Sequence, residues 1–144
     1  MKTREYNGIL TRKLLHLRHT LAELRSWPLG TLAAFKKNSL HQCAVERALQ
    51  VCVEIVIDVC ARFLALEKSA PGETALENVQ RAAALGVVSS VDDYADVIRF
   101  RNFIVHRYDR IDPEILFTIV KHKLDAFVKF DAEVSSFVES RREQ

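Results

Sequence analysis

Apolar residues recur along this chain at helical spacing. Leu10, Leu14, Leu17, Leu21 and Leu24 step by four and three, one continuous stripe that predicts a helix over about 4–25. Trp27-Pro28 and Gly30 end it, since proline cannot continue a helix and glycine opens a turn. Thr31 caps a short helical turn through Lys37. Asn38 or Ser39 then caps a long second helix running to about Lys68, which spans about 45 Å by the α-helical rise. Its polar strip is narrow: Arg47, Gln50, Glu54 and Asp58. Val45, Leu49, Cys52, Val53, Val56, Ile57, Val59, Cys60 and Phe63 occupy much of the rest. A helix apolar over more than half its girth must be covered on several sides. This segment therefore reads as the central helix, with one side open to a dimer interface.

Pro71-Gly72 marks a loop, and Thr74 or Glu73 starts a third helix that Gly86 stops just after Leu85. Ser90 followed by Asp92 and Asp93 is a strong helix start, because a capping oxygen accepts free N–H groups and acids suit the positive end of the dipole. A fourth helix is expected from Val91 to about Tyr108. Asp112-Pro113 opens a fifth, with the stripe Leu116, Val120, Leu124, Phe127, Val134 and Val138. No repeat or low-complexity tract interrupts the pattern. The expectation is an all-α, antiparallel up-and-down bundle of four to five helices, one domain over residues 1–144.

Composition narrows the function classes. A formal charge of +2 over 144 residues is nearly neutral, so any nucleic-acid surface must be local. Cys43, Cys52 and Cys60 all fall in the second helix. An odd count behind an N-terminus without a secretory stretch reads as free thiols in a reducing, cytoplasmic setting. Cys52 and Cys60 lie on the apolar side and are expected to pack. The longest apolar region, Val51 to Leu66, is interrupted by Glu54, Asp58 and Arg62. It falls short of the roughly 18 apolar residues of a membrane helix, so no membrane partner is expected.

The fourth helix carries the candidate chemistry. On a wheel of about 100° per residue, Tyr94, Val97, Ile98, Ile104 and Val105 form an apolar arc, and Arg101 lies inside it. Arginine is almost never fully buried unpaired. An acid from another helix, a partner subunit or an anionic ligand must compensate it. Tyr108, seven residues on, shares that side. His106, five residues on, lies about 140° away and sits better with Asn102. Either the helix loosens near His106, or the site is completed between two subunits across a two-fold axis, the solution we favour. Asp131 falls within the apolar stripe of the fifth helix, where it meets a cation such as Arg101 or lies at the edge. Arg107 and Arg110 flank the segment, as phosphate contacts or plain surface residues. Lys121, His122 and Lys123 read as solvated. So do His16 and His19, three apart and opposite the leucine stripe with no converging acid or Cys, rather than as a metal pair. There is no phosphate-cradling glycine loop, no Cys-x-x-Cys and no nucleophile elbow.

Arg101-Asn102-Phe103-Ile104-Val105-His106-Arg107-Tyr108 resembles the signature of the HepT-type toxins of the HEPN superfamily: Arg, four residues, His, one residue, Tyr, commonly with Asn after the Arg. Val45 to Gln50 with Val53 to Asp58 resembles that family's long second helix, and Asp112 to Phe117 the start of its last one. The resemblance implies a metal-independent endoribonuclease, the toxin of a type VII-like HEPN/MNT toxin–antitoxin pair, acting as a homodimer without a cofactor. It implies that Arg101 and His106 of each subunit line a cleft between protomers. RNA brings its own nucleophile, the 2′-hydroxyl, so cleavage to a 2′,3′-cyclic phosphate needs only proton transfer and charge stabilisation. His106 is then the general acid or base. Arg101 holds the phosphate, and Asn102 supports it or the histidine. The resemblance further implies an MNT-type nucleotidyltransferase antitoxin that adenylylates Tyr108 and so occupies the anion site. The alternative is a non-catalytic helical module that binds a nucleotide or a partner within a nucleotidyltransferase complex.

Overall fold

A computed structural model describes residues 2–106 and 110–142 of the chain. Among them the α-helices run Lys2–Ser26 (α1), Leu32–Lys36 (α2), Ser39–Leu66 (α3), Ala75–Ala84 (α4), Ala95–His106 (α5), Pro113–His122 (α6) and Asp125–Arg142 (α7). A 3-10 turn, Asp92–Tyr94, leads into α5. The described residues form no strand. The all-α bundle is as expected, with more helices than the expected four to five.

The caps sit where the side-chain chemistry places them. Thr31 Oγ1 accepts the Ala34 N–H at 3.2 Å, and Asn38 Oδ1 accepts that of His41 at 3.0 Å. Thr74 Oγ1 accepts the Glu77 N–H at 3.1 Å, while the Glu77 carboxylate reaches back to the Glu73 N–H at 2.8 Å. Asp112 Oδ1 takes the Glu114 N–H at 2.9 Å, with Pro113 at the first helical position. Gly86 ends α4 at φ +87°, a left-handed conformation costly for a residue with a Cβ. There the Val87 N–H closes back onto the Ala82 carbonyl at 3.0 Å.

α3 is the axis of the bundle. All five leucines of the α1 stripe are buried, and along α3 Val45, Leu49, Cys52, Val56, Val59, Cys60 and Phe63 are fully excluded from solvent. α1, α2, α4, α5, α6 and α7 all pack on it. Burial pushes the Cys52 and Cys60 thiols up to about 12, which makes them inert packing groups. Ring contacts join the periphery: Phe35 to Phe117, Phe63 edge-on to Phe137, and Tyr94 edge-on to Phe130.

Two boundaries differ from the sequence reading. The fifth predicted helix is two helices, broken at Lys123-Leu124. Both touch α3, but α6 lies otherwise against α2 and α7 against α1. Lys123 closes α6 by donating its N–H to the Ile119 carbonyl, and Asp125 stands at the positive end of the next helix. The fourth predicted helix begins as the 3-10 turn; Ser90 Oγ still accepts the Asp92 N–H, at 3.3 Å. Its expected end at Tyr108 lies outside the described residues.

Candidate functional site on the α5 face

The start of α5 is clamped. Tyr94 is buried, and its hydroxyl donates to Glu133 Oε1 at 2.5 Å. Glu133 Oε2 accepts the Ser89 N–H at 2.6 Å. Lys129 pairs with Asp93 at 2.6 Å and Lys123 with Asp96 at 3.2 Å. Desolvation first, and the Glu133 carboxylate second, push the Tyr94 phenol well above its ordinary value, so it stays a donor. These contacts fix where α5 begins and therefore how its far end is presented.

Along α5 the buried side chains are Val97, Ile98 and Phe100; Phe103 and Ile104 are partly covered; Val105 is 56% exposed. The core arc is therefore rotated from the expected one. Phe100 and Phe103 join it, and Val105 leaves it. Two large rings bury more apolar area than one valine, which turns the helix toward them. Arg101 consequently stands at the edge of the core, half-buried, instead of within it. This relieves the buried-charge problem without an ion pair. Among the described residues Arg101 pairs with no carboxylate, and its guanidinium makes one long hydrogen bond, 3.4 Å to Asn102 Oδ1.

Arg101 opens onto a groove of about 150 Å³ between α5 and the polar strip of α3. Gln50, Glu54 and Asp58 line one wall, Arg101, Ile104 and Val105 the other, with Val53 and Ile57 beneath. The helices run antiparallel here: Tyr94 lies by Cys60, while the last turns of α5 reach Gln50 to Asp58. Asp58 is held by Lys13 Nζ at 3.5 Å, and Glu54 Oε1 accepts from Gln50 Nε2 at 3.3 Å. The sequence marks the two carboxylates only as part of a narrow polar strip. Their four-residue spacing put them on one face, but no signal said which helix that face would meet.

The backbone of α5 stays α-helical through His106. The side chain of His106, and Arg107 and Tyr108 altogether, lie outside the described residues. Asn102 is exposed, one residue past Arg101. Arg110 donates to Cys43 Sγ at 3.3 Å on the exposed end of α3. Asp131 does meet a cation, but it is Arg18, not Arg101: Nε and Nη2 reach its two oxygens at 2.7 and 2.8 Å, joining α1 to α7. His19 pairs with Glu23 at 2.6 Å. Among the described residues no three His, Cys, Asp or Glu side chains are grouped as a metal site would require, and no helix is long and apolar enough to cross a membrane.

A larger groove of about 730 Å³ opens on the other side of α5, toward α6 and the start of α7, over Leu49, Val53, Phe100 and Phe127. No residue of the Arg-to-Tyr segment except Phe103 lines it among those described. Volume alone would choose this groove; the candidate chemistry sits in the smaller one.

The fold is shared with known toxins. A toxin–antitoxin complex crystallised with AMP-PNP contains a chain 20% identical to this one, with a TM-score of 0.79 over 90% of this chain and 99% of that one. A tri-AMPylated Shewanella oneidensis HEPN toxin in complex with MNT antitoxin is also 20% identical, with a TM-score of 0.79 over 90% and 98%. YutE from Bacillus subtilis, a cytosolic protein of unknown function, is 17% identical with a TM-score of 0.78 over 92% and 90%. At these identities the likeness establishes the fold. No curated protein matches the sequence. The model of the HepT-like family, described as ribonuclease HepT-like, matches residues 17–134, from the first helix through the signature and into the last, and the chain belongs to that family.

Proposed function

We propose that this chain is a metal-independent endoribonuclease, the toxin of a HEPN/MNT toxin–antitoxin pair. The observation that carries the reading is Arg101: a guanidinium half-buried at a groove, on the helix of the family signature, without a carboxylate partner among the described residues. An arginine so placed has its planar fork open to a phosphate. Held there, it would neutralise the charge that builds on phosphorus as the 2′-oxygen attacks. His106 supplies acid or base catalysis, and Asn102, already in contact with the guanidinium, steadies it. α5 does not loosen before His106. That favours a site completed by a second copy, where Arg101 of one subunit meets His106 of the other across a two-fold axis.

The partner reading follows from the neighbours, two of which are complexes of a toxin with its antitoxin, one of them tri-AMPylated. An MNT-type antitoxin would adenylylate Tyr108, placing phosphates two residues beyond His106 where they compete with RNA for Arg101. The test uses purified chain and a defined RNA with excess chelator. Cleavage to 2′,3′-cyclic ends is expected, lost separately in Arg101→Ala and His106→Ala. If both variants cleave as the parent does, the proposal is wrong. An intact chain that binds its antitoxin tightly yet cleaves nothing is instead a binding module. Co-expression with the antitoxin should add adenylyl mass to the parent and none to Tyr108→Phe.

A further inference from the structure

The reaction just proposed moves two protons, one off the 2′-hydroxyl and one onto the departing 5′-oxygen, and the signature offers one imidazole per subunit. The following assignment rests on that reading. Among the described residues lining the Arg101 groove, the groups able to accept a proton are the carboxylates of Glu54 and Asp58. Asp58 already faces the Lys13 ammonium at 3.5 Å. Glu54, one helical turn earlier, is held only by a neutral donor, Gln50 Nε2, at 3.3 Å and through Oε1 alone. Were Glu54 present to neutralise Arg101, the two would pair within the groove they share; they do not. The guanidinium is thus left open to a phosphate and the carboxylate to a proton. The antiparallel run of α3 and α5 sets Glu54 against the turn of α5 that begins at Arg101 and ends toward His106.

We infer that Glu54 is the general base of the cleavage and His106 the general acid. The Glu54 carboxylate takes the 2′-hydroxyl proton as the 2′-oxygen bonds to phosphorus. The bond from phosphorus to the 5′-oxygen breaks, and that oxygen receives its proton from protonated His106. The products are a 2′,3′-cyclic phosphate and a 5′-hydroxyl. Glu54, now a carboxylic acid, and neutral His106 then exchange protons with water and return to their starting states. One consequence separates this role from phosphate binding. A carboxylate beside the RNA backbone repels it, so neutralising Glu54 should leave binding equal or tighter while turnover collapses.

The experiment compares the full-length parent, Glu54→Gln, Glu54→Asp and His106→Ala on two substrates: ordinary RNA, and RNA with sulfur replacing the scissile 5′-oxygen, a leaving group that needs no acid. Glu54→Gln should lower kcat about 10²- to 10⁴-fold on both substrates, with KM unchanged or lower. Glu54→Asp, which keeps the carboxylate, should recover at least tenfold. His106→Ala should be crippled on ordinary RNA and recover on the sulfur substrate. The inference is overturned if Glu54→Gln turns over within threefold of the parent. It is equally overturned if that variant is the one the sulfur substrate rescues, or if its loss lies in KM alone. Neither outcome touches the requirement for Arg101 and His106, and the ribonuclease reading stands. A parent chain that cleaves neither substrate removes that reading, and the assignment with it. Glu54 is exposed and Gln is isosteric, so unchanged far-ultraviolet circular dichroism and Tm would confirm that Glu54→Gln is folded.

Discussion

Removing one oxygen from Tyr94 tests the clamp that orients the signature helix. Tyr94→Phe keeps the buried ring and its edge contact with Phe130, so no cavity forms and the change isolates the hydroxyl. That hydroxyl donates at 2.5 Å to Glu133, whose other oxygen takes the Ser89 N–H at 2.6 Å. A hydrogen bond to a charged acceptor contributes about 1.5–3 kcal/mol. Glu133 is only half-buried, so water replaces part of the loss and the expected cost falls to about 1–2 kcal/mol. At about 2.1 cal/mol/K per residue of unfolding entropy, a chain of 144 residues loses about 3 °C of Tm per kcal/mol, hence about 3–6 °C here. Chemical denaturation with an unchanged m-value is the assay, alongside Glu133→Gln and the double variant. The pair should couple by at least about 0.5 kcal/mol because the two groups touch. A Tyr94→Phe variant within about 0.3 kcal/mol of the parent, or strict additivity with Glu133→Gln, would refute the clamp. Because α5 carries Arg101, the same variant should also lose the ribonuclease turnover proposed above more steeply with temperature than the parent.

The remaining expectations concern charge and thiols. The Tyr94 phenol and the Cys52 and Cys60 thiols are all raised in the folded chain, the thiols to about 12. The stability they confer is complete below their unfolded values, about 8.5 for Cys and about 10 for Tyr, and is lost as pH rises through the folded ones. Unfolding free energy should therefore fall steadily above about pH 9, with a shallower decline in Cys60→Ala; a flat profile to pH 11 would contradict it. In native protein one thiol, exposed Cys43, should react with a disulfide reagent, and three after unfolding; fast reaction of a second thiol would mean Cys52 or Cys60 is not packed as described. The Arg18–Asp131 fork has an arginine half exposed to solvent, so a double-variant cycle should return about 1 kcal/mol or less, and a coupling above about 2 kcal/mol would show it is far better shielded.

The fold was legible wherever burial and capping speak through single residue types. The leucine stripe of α1, the Asn38, Thr74 and Asp112 caps and the Gly86 stop all declare themselves in one turn of sequence, and all are observed. The central place of α3 follows from its girth of apolar residues alone. The break at Lys123-Leu124 did not announce itself. No Pro or Gly marks it, and the apolar stripe continues in phase across it. Both helices touch α3, and what separates α6 from α7 is the other partner each finds, α2 for one and α1 for the other. Such a choice is made in three dimensions, and spacing along one helix carries no record of it.

The site divides in the same way. Arg101 was identifiable because a charge amid Val97, Ile98, Ile104 and Val105 is costly unless something answers it. The missing part was which residues claim the core. Phe100 and Phe103 win that competition, the helix turns, and Arg101 moves from a buried position needing a partner to an edge position able to receive one. Asp131, the acid placed nearest to answering it, is taken by Arg18 through two short bonds. Glu54 and Asp58, placed nowhere near it by the sequence, share its groove. An exposed carboxylate that shares the groove without joining the guanidinium adds little to stability. The pair is a sound device for a reaction in which one group must hold an anion and the other must accept a proton from it. On the function proposed above, the groove on the α5 face is a place where a phosphate enters and not a finished piece of the core.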